Sequence, residues 1–491
     1  METQSGTIVA AGMASIAPMQ EFSEFSGLAS DSRSVGPGYL FAALPGTQAD
    51  GALFIADAVR RGAIAVLGQP SVRAEAEKHG VPLIADHNPR LRLAKIAAEH
   101  FGAQPRVVAA VTGTNGKTSV CVFLRQLWAS RGRSAASIGT IGVVAPSGTT
   151  SLAHTTPDAI ETHRLLARLA CEGVTHLALE ASSHGLDQYR LDGVEIAAAA
   201  FTNLTRDHLD YHPDYAHYLA AKLRLFTELV RSGGLAVVNT DAEDAGQFLS
   251  AARARNLRLL TVGARGTEIR IASLTPRAEG QVLRIIFAGI SYEIELPLVG
   301  AFQASNALVA AGLCMATGAD AAEVLPLVAN LRGARGRLEL AATTRTGAPI
   351  FIDYAHTPDA LAKALDALRP YVHNRLTVVF GCGGDRDKGK RPQMGAVAVD
   401  KADIAIVTDD NPRSEEPSEI RREILAAAPG AIEVPGRAVA VAEAVADLKQ
   451  GDVLLIAGKG HETGQIVKGA IFPYSDHDAV DVALKGGAKR A

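Results

Sequence analysis

Cysteine is scarce in this chain: Cys121, Cys171, Cys314 and Cys382 are the only four in 491 residues. They stand far apart, with neither metal-ligand nor disulfide spacing. That excludes a disulfide-stapled secreted domain or a zinc ribbon and fits a reducing cytoplasm. Cys121 falls on the polar side of the helix its neighbours predict; the other three lie in apolar or glycine-rich surroundings. No apolar run approaches the ~20 residues that a bilayer span needs, so no membrane insertion is expected. The first residues, METQSGTIVAAGMASIAP, carry no basic region ahead of their apolar part, so no secretory signal is expected either. An excess of one charge is missing too. With 49 Lys and Arg against 52 Asp and Glu, the net charge of −3 gives no electrostatic footprint for nucleic acid. There is no repeat of solenoid period and no low-complexity tract. What remains is a globular composition, 47% hydrophobic and 21% charged, in a chain too long for one core. Three domains of about 150 residues each are expected.

One stretch organises the rest, Arg106 to Trp128, RVVAAVTGTNGKTSVCVFLRQLW. Val107 to Val111 reads as a buried parallel strand. Val120, Phe123, Leu124, Leu127 and Trp128 then recur at helical spacing, and Gly132 follows as a C-cap. Between strand and helix lies Gly113-Thr114-Asn115-Gly116-Lys117-Thr118. The glycines let backbone N–H groups turn inward, and the helix N-terminus adds positive potential. Lys117 can reach a terminal phosphate, and the Thr118 hydroxyl suits a Mg²⁺ ligand. An ordinary glycine-rich turn would explain the glycines but not Lys-Thr at the mouth of a helix. The fuller phosphate-loop pattern wants a glycine where Val111 stands, so this is a shortened variant. The stretch predicts a nucleoside triphosphate site.

Residues 1–86 read as a small α/β domain, with strands Tyr39–Leu44 and Ala63–Leu67 and a helix Phe54–Arg61 between them. A central domain follows over 87–335. Its strand Thr175–Leu179 ends in Glu180-Ala181-Ser182-Ser183-His184-Gly185. The next, Ile196–Thr202, runs into Asn203 and Arg206-Asp207-His208-Leu209-Asp210. Strands separated by helices imply a parallel sheet whose ligands gather at the carboxyl ends. Glu180 and His208 share that address with Thr118, and the three suit an oxygen- and imidazole-lined Mg²⁺ site completed by water. Pro213 can open a helix over Asp214–Val230. Its Lys222 reads, by pattern alone, as a solvated surface lysine away from the loop.

Gly333-Ala334-Arg335-Gly336 marks the second boundary, and 336–491 form a third domain. Four strands there each end in a polar motif. Pro349–Asp353 leads to Tyr354-Ala355-His356. Leu376–Phe380 leads to Gly381-Cys382-Gly383-Gly384-Asp385-Arg386-Asp387-Lys388. Asp403–Thr408 leads to Asp409-Asp410-Asn411-Pro412-Arg413, and Val453–Ala457 to Gly458-Lys459-Gly460-His461-Glu462. Each alone could be a loop. Four together predict a Rossmann-like domain with a crowded ligand edge. The expected fold is therefore α/β in three domains, with a central phosphate-loop parallel sheet, a Rossmann-like C-terminal domain and a small N-terminal α/β domain.

GTNGKTS, EASSHGL, TNLTRDHLDYH, DYAHTPDAL, GCGGDRDKGKRP, DDNPR and AGKGHE occur in the order seen in the Mur ligases. The chain resembles that family over essentially its whole length, most closely the branch that adds meso-diaminopimelate to UDP-N-acetylmuramoyl-L-alanyl-D-glutamate in peptidoglycan synthesis. The resemblance implies ATP-dependent phosphorylation of the D-glutamate γ-carboxylate, then attack by the incoming amine on the acyl phosphate. Lys117 and Mg²⁺ would neutralise charge as the phosphoryl group moves. It implies an ATP site at Gly113, Thr114, Asn115, Gly116, Lys117, Thr118 and Ser119, with Asn306, Arg337, Asp353 and His356. Ser119 stands where many members have a second threonine, and it keeps the hydroxyl. The UDP-sugar dipeptide would meet Ser30, Ser32, Thr47, Gln48, Ala49, Thr155, Thr156, Ser182, Gln188 and Arg190; Ser30 aligns with a residue that is apolar in some relatives. Lys222 aligns with the family's carbamylated lysine, whose CO₂-derived oxygens would help hold Mg²⁺ with Thr118, Glu180 and His208. Arg386, Asp410, Asn411, Pro412, Arg413, Gly458 and Glu462 would form the amino-acid pocket. Small molecules are the expected partners, with no nucleic acid, and the protein is expected to be a monomer.

Three other readings compete. A sister ligase adding L-lysine is discriminated by Arg413, whose planar fork suits the distal carboxylate that lysine lacks. Folylpolyglutamate synthetase shares the loop but not DDNPR. A non-catalytic nucleotide-binding protein on the same scaffold would be expected to have lost Lys117, Glu180, His208 or Lys222, and all four are present.

Overall fold

Runs of small and β-branched residues alternate along the chain with amphipathic stretches that begin at Asp, Asn, Thr or Gly, and this alternation lays out the architecture. A computed structural model describes residues 25–46, 50–205, 207, 211–277 and 280–486. The chain divides into two compact units, Met1–Gly102 and Ala103–Ala491.

In the first unit, strands β1 (Gly27–Ala29), β2 (Tyr39–Ala43), β3 (Ala63–Gly68) and β4 (Leu83–Ala85) form a parallel sheet in the order 1-2-3-4. Helices α1 (Ile55–Arg60), α2 (Arg73–Lys78) and α3 (Pro89–Phe101) accompany it. The Asn88 side chain accepts from Leu91 N at 3.2 Å and Pro89 fills the first helical position, so α3 starts where its sequence says. Leu40, Phe41, Ile55 and Val66 are buried.

The second unit opens with β5 (Val107–Thr112), α4 (Lys117–Ser130), β6 (Ala135–Gly139), β7 (Gly142–Ala145) and β8 (Gly148–Thr150). It continues through α5 (Ala159–Cys171), β9 (His176–Glu180), α6 (Ser183–Asp187), β10 (Ile196–Phe201) and α7 (Tyr215–Arg224). Then come β11 (Val230–Asn239), α8 (Ala245–Ala254), β12 (Arg258–Gly263), the meander β13 (Ile269–Arg277), β14 (Gly280–Phe287) and β15 (Ile290–Leu296), and finally α9 (Ala301–Ala316) and α10 (Ala321–Leu327). These strands form one sheet in the order 15-14-13-12-11-10-5-9-6-7-8. Its centre is parallel: β5 pairs with β9 so that Val111 faces Glu180, and with β10 so that Thr112 faces Phe201. The carboxyl ends of β5, β9 and β10 therefore share one edge. One core packs α4 and α9 on the sheet through Val111, Phe123, Trp128 and Leu308, and another packs α5, α7 and α8 through Val108, Leu166, Tyr218 and Phe248. Because α4 is enclosed by both the sheet and α9, Cys121 is buried, contrary to its apparent place on a polar side. Burial pushes its thiol well above the ordinary range. After α7 the chain takes a π turn, Leu225–Leu229, where a continuing α-helix was expected.

A second sheet in this unit comprises β16 (Glu339–Thr343), β17 (Pro349–Asp353), β18 (Leu376–Phe380), β19 (Ile404–Val407), β20 (Ile432–Glu433) and β21 (Val453–Ala457), in the order 16-17-21-18-19-20. Only β16 is antiparallel. Helices α11 (Pro358–Leu368), α12 (Lys390–Lys401) and α13 (Pro417–Leu425) bury one face of it, and α14 (Arg437–Ala446) with α15 (Asp476–Gly486) the other. A two-stranded hairpin, β22 (Gly464–Val467) and β23 (Ala470–Pro473), stands beside the ends of β19 and β21.

Candidate active site

Gly113 follows β5 at φ +147°, and Gly116 precedes α4 at φ +89°. A Cβ on Gly113 would lie 2.0 Å from Thr202 Oγ1, and one on Gly116 would lie 2.4 Å from Asn306 Oδ1. Both positions therefore demand glycine, by conformation and by space. The loop is tied to β10's end: Thr114 N donates to Asn203 O at 2.8 Å and Asn115 N to Asn203 Oδ1 at 3.0 Å. Thr114 Oγ1 meets the Tyr218 hydroxyl of α7 at 2.9 Å.

Two lysines converge on the loop. Lys117 Nζ donates to Gly113 O at 2.8 Å and to Thr114 O at 2.7 Å. Lys222 Nζ donates to the same Gly113 O at 2.8 Å. Lys222 is thus not a surface residue away from the loop: it is buried, over the Tyr218 ring, with its nitrogen on the loop. Burial, reinforced by the like charge of Lys117, holds its pKa well below the ordinary lysine value. Burial also lowers that of Lys117, against the pull of Glu180 and Asp207. A periodic pattern could not reveal Lys222, because α7 buries its loop-facing end as well as its apolar stripe.

Glu180 ends β9, fully enclosed, and its carboxylate accepts from Thr140 N at 2.8 Å and Thr140 Oγ1 at 3.1 Å. Thr155 Oγ1 lies 3.1 Å from Thr140 Oγ1, and Thr156 Oγ1 donates to Glu180 O at 2.8 Å. Ser182 caps α6 through Gly185 N. Arg190 reaches Thr156 O at 2.7 Å and Gln188 Oε1 at 2.8 Å. Thr155, Thr156, Ser182, Gln188 and Arg190 thus form one cluster beside Glu180. Ser119 is buried on the first turn of α4. Ser30 and Ser32 lie in the first unit, Ser30 exposed and Ser32 buried. Thr47, Gln48, Ala49 and His208 lie outside the described residues.

The C-terminal sheet contributes to the same neighbourhood. Arg337 Nη2 donates to Thr118 Oγ1 at 3.3 Å, and its guanidinium stacks 4.4 Å from the Tyr354 ring centre. Asp353 caps Leu338 N and Ala355 N, the latter at 2.7 Å, and burial pushes its pKa up to about 6 against the pull of Arg337. His356 Nδ1 bonds Tyr354 O at 2.8 Å; burial and then Lys390 pull its pKa down. His461, its ring 5.4 Å from that of Tyr354, is pulled down to about 4 by burial and next by Arg337.

The third constellation lies at the ends of β19 and β21. Asp410 Oδ1 caps Asn411 N at 2.7 Å. Gly458, at φ +115°, has no room for a Cβ, which would lie 2.7 Å from Asp410 Oδ2. Asn411 Nδ2 donates to Glu462 Oε2 at 2.9 Å, and the Asn411 Oδ1 accepts from Ile466 N at 3.0 Å. Lys459, fully buried, donates to Asn411 Oδ1 and Glu462 Oε2, both at 3.0 Å. Arg413, following Pro412, adopts φ +53° and is clamped by the hairpin: its N donates to Ile466 O at 3.0 Å and its O accepts from Lys468 N at 2.6 Å. Its Nη1 donates to Gly384 O at 2.7 Å. It does not pair with its acidic neighbours. Glu415 is taken by the buried Arg391 at 2.9 Å, which holds its carboxyl down at about 2, and Glu416 by Lys468 at 3.1 Å. Arg386 is exposed on the same loop as Gly384. Lys459, Arg391 and the buried Arg437–Asp476 pair escaped the sequence reading. Lys459 stood between two glycines directly after a strand, and Arg391 within GCGGDRDKGKRP.

The donors fit a hard cation. Thr118 and Glu180 offer oxygen ligands of the kind Mg²⁺ takes, beside a loop shaped for phosphate. Among the described residues no group of three His, Cys, Asp or Glu is placed to hold a metal.

Comparison with known proteins identifies the family. Residues 24–101, 111–314 and 336–460 match the profiles described as Mur ligase family, catalytic domain; Mur ligase middle domain; and Mur ligase, glutamate ligase domain. The UDP-N-acetylmuramoyl-L-alanyl-D-glutamate--2,6-diaminopimelate ligase of Bradyrhizobium diazoefficiens is 55% identical over 96% of this chain and 97% of its own. That of Rhizobium meliloti is 53% identical over 94% and 95%. A solved structure of an enzyme of that name superposes with a TM-score of 0.69 at 34% identity, covering 95% of this chain and 96% of its own. The MurF ligase of Thermotoga maritima in complex with ADP shares the fold at 17% identity, with a TM-score of 0.61 over 96% of this chain and 100% of its own. The chain belongs to the Mur ligase family.

Proposed function

We propose that the chain is an ATP-dependent, ADP-forming ligase that joins meso-2,6-diaminopimelate to UDP-N-acetylmuramoyl-L-alanyl-D-glutamate. The observation that carries this reading is the meeting of Lys117 and Lys222 at one loop carbonyl, in a chain so similar over its whole length to ligases of that name. Three matched segments support three domains; we assign residues 1–86 to the UDP-sugar, 87–335 to ATP and 336–491 to the amino acid.

A carboxylate is a poor electrophile, so its conversion to an acyl phosphate supplies a leaving group. An oxygen of the D-glutamate γ-carboxylate attacks the γ-phosphorus, and the bond to ADP breaks. The amine lone pair then attacks the acyl carbon, inorganic phosphate leaves, and the amine proton is lost. Lys117 turns from Gly113 O towards the phosphates and offsets their charge, while the loop N–H groups orient them. Asn306, Arg337, Asp353 and His356 line the nucleotide side. Thr118 and Glu180, with His208, would hold Mg²⁺, which would supply charge neutralisation for the phosphoryl group being transferred. Lys222, its pKa held well below the ordinary lysine value by burial, is suited to carry a carbamate from CO₂ and so to add an oxygen ligand. Arg190 and its cluster hold the D-glutamate end, and Arg413 and Glu462 the far end of the amino acid. No helix among the described residues is long and apolar enough to cross a membrane. We place the enzyme in the cytoplasm, as a monomer.

The test is phosphate release by purified protein with ATP, Mg²⁺ and the UDP-linked dipeptide, offered diaminopimelate or lysine separately. Release is expected with diaminopimelate. Release independent of either amino acid would overturn the ligase reading, and equal use of both would favour the lysine-adding alternative.

A further inference from the structure

Lys459 has no access to solvent, so its ammonium cannot touch a substrate that arrives from solution. It nevertheless holds two side chains of the amino-acid pocket at once, Asn411 Oδ1 and Glu462 Oε2, each at 3.0 Å. Three consequences follow from those two bonds. The Asn411 amide is locked one way round: its oxygen accepts from Lys459 and Ile466 N, so its nitrogen must face Glu462. Glu462 is fixed through a single oxygen, Oε2, which takes both bonds and leaves Oε1 for a ligand. And the negative charge of Glu462 is offset from behind by a cation that no ligand can displace.

We propose that Lys459 is a positioning and specificity-determining residue of the amino-acid site, presenting a charge-balanced Glu462 to a ligand whose far end carries both an ammonium and a carboxylate. This rests on the functional reading above. A diaminopimelate far end is zwitterionic: its carboxylate suits Arg413 and its ammonium suits Glu462. Lysine ends in an ammonium alone. With Lys459 in place, Glu462 adds little net negative charge and the pocket favours the zwitterion. Without it, Glu462 stands uncompensated, which repels the distal carboxylate and attracts a purely cationic end.

The experiment compares wild type with Lys459→Met and Lys459→Gln, measuring kcat and KM for diaminopimelate, lysine and ATP, with a thermal melt of each protein. In both variants KM for diaminopimelate is expected to rise about 10- to 100-fold with kcat and KM for ATP changing little. The preference for diaminopimelate over lysine is expected to narrow, more in Lys459→Met than in Lys459→Gln, which keeps a donor for Asn411. Equal loss with the two amino acids, a fall in kcat at unchanged KM, or failure of both variants to fold would make Lys459 a structural clamp and overturn the assignment. A wild type that ligates neither amino acid would instead overturn the ligase reading itself.

Discussion

The phosphate loop and the proposed amino-acid pocket handle charge in opposite ways. At the loop, two lysine side chains share one backbone oxygen, Gly113 O. In the pocket and around it, each buried cation has its own carboxylate: Lys459 with Glu462, Arg391 with Glu415 and Arg437 with Asp476. Lysines that rest on a main-chain oxygen and not on a carboxylate are left for the roles proposed above, Lys117 to meet a polyanion and Lys222 to take up CO₂. A neutral set of pairs is made for a zwitterion, which gains from orientation and not from net charge. One protein thus presents two electrostatic styles, each matched to the reactant proposed for it.

The comparison breaks most visibly at Lys117. Lys117→Ala is expected to cut turnover about 1000-fold or more while binding of the UDP-dipeptide, measured by calorimetry, stays near wild type. Turnover above a few per cent would remove the loop from the chemistry. Lys222 comes next. Lys222→Arg keeps a cation on the loop but cannot form a carbamate, so activity is expected to fall about 300-fold, as in Lys222→Ala. Full activity of the arginine variant would leave charge alone as the role of this residue.

On the pocket side, Arg413→Ala is expected to cut kcat/KM for diaminopimelate roughly 30- to 1000-fold and to leave KM for ATP unchanged. Comparable wild-type use of lysine would erase the contrast between the two sites. The smallest effect concerns acid stability. Arg391 holds the Glu415 pKa at about 2, below the ordinary 4.5 of the unfolded chain. The stability this contributes is complete above the unfolded value and is lost as pH falls towards 2. Arg391→Met is expected to flatten that part of the stability–pH curve, read by urea melts between pH 2 and 5. An unchanged slope would mean that Glu415 is not held by Arg391 in solution.

The loop was legible in the sequence because its chemistry is local: glycines, a lysine and a threonine between one strand and one helix. The strand-end motifs were legible for the same reason, and parallel pairing of β5 with β9 and β10 carries Glu180 to the loop as the alternation predicts. Lys222 was not. A lysine on an amphipathic helix looks solvated, and only the packing of α7 against the loop shows where its nitrogen ends. Cys121 misled for a related reason: α4 is covered on both sides, which a one-stripe reading cannot anticipate. Arg391 was hidden because its partner, Glu415, stands far along the chain in a loop before α13, and Lys459 because nothing in its motif shows that its side chain turns inward to Asn411 and Glu462.

The acceptor at the centre of the loop is a main-chain oxygen, present whichever amino acid occupies position 113. The position tolerates only glycine, since a Cβ would collide with Thr202 Oγ1 and the backbone stands at φ +147°. An inhibitor built to displace the two lysine nitrogens from that oxygen would therefore engage a contact with almost no route to resistance. A change at Gly113 distorts the loop, and loss of either lysine is expected to disarm the enzyme along with the drug.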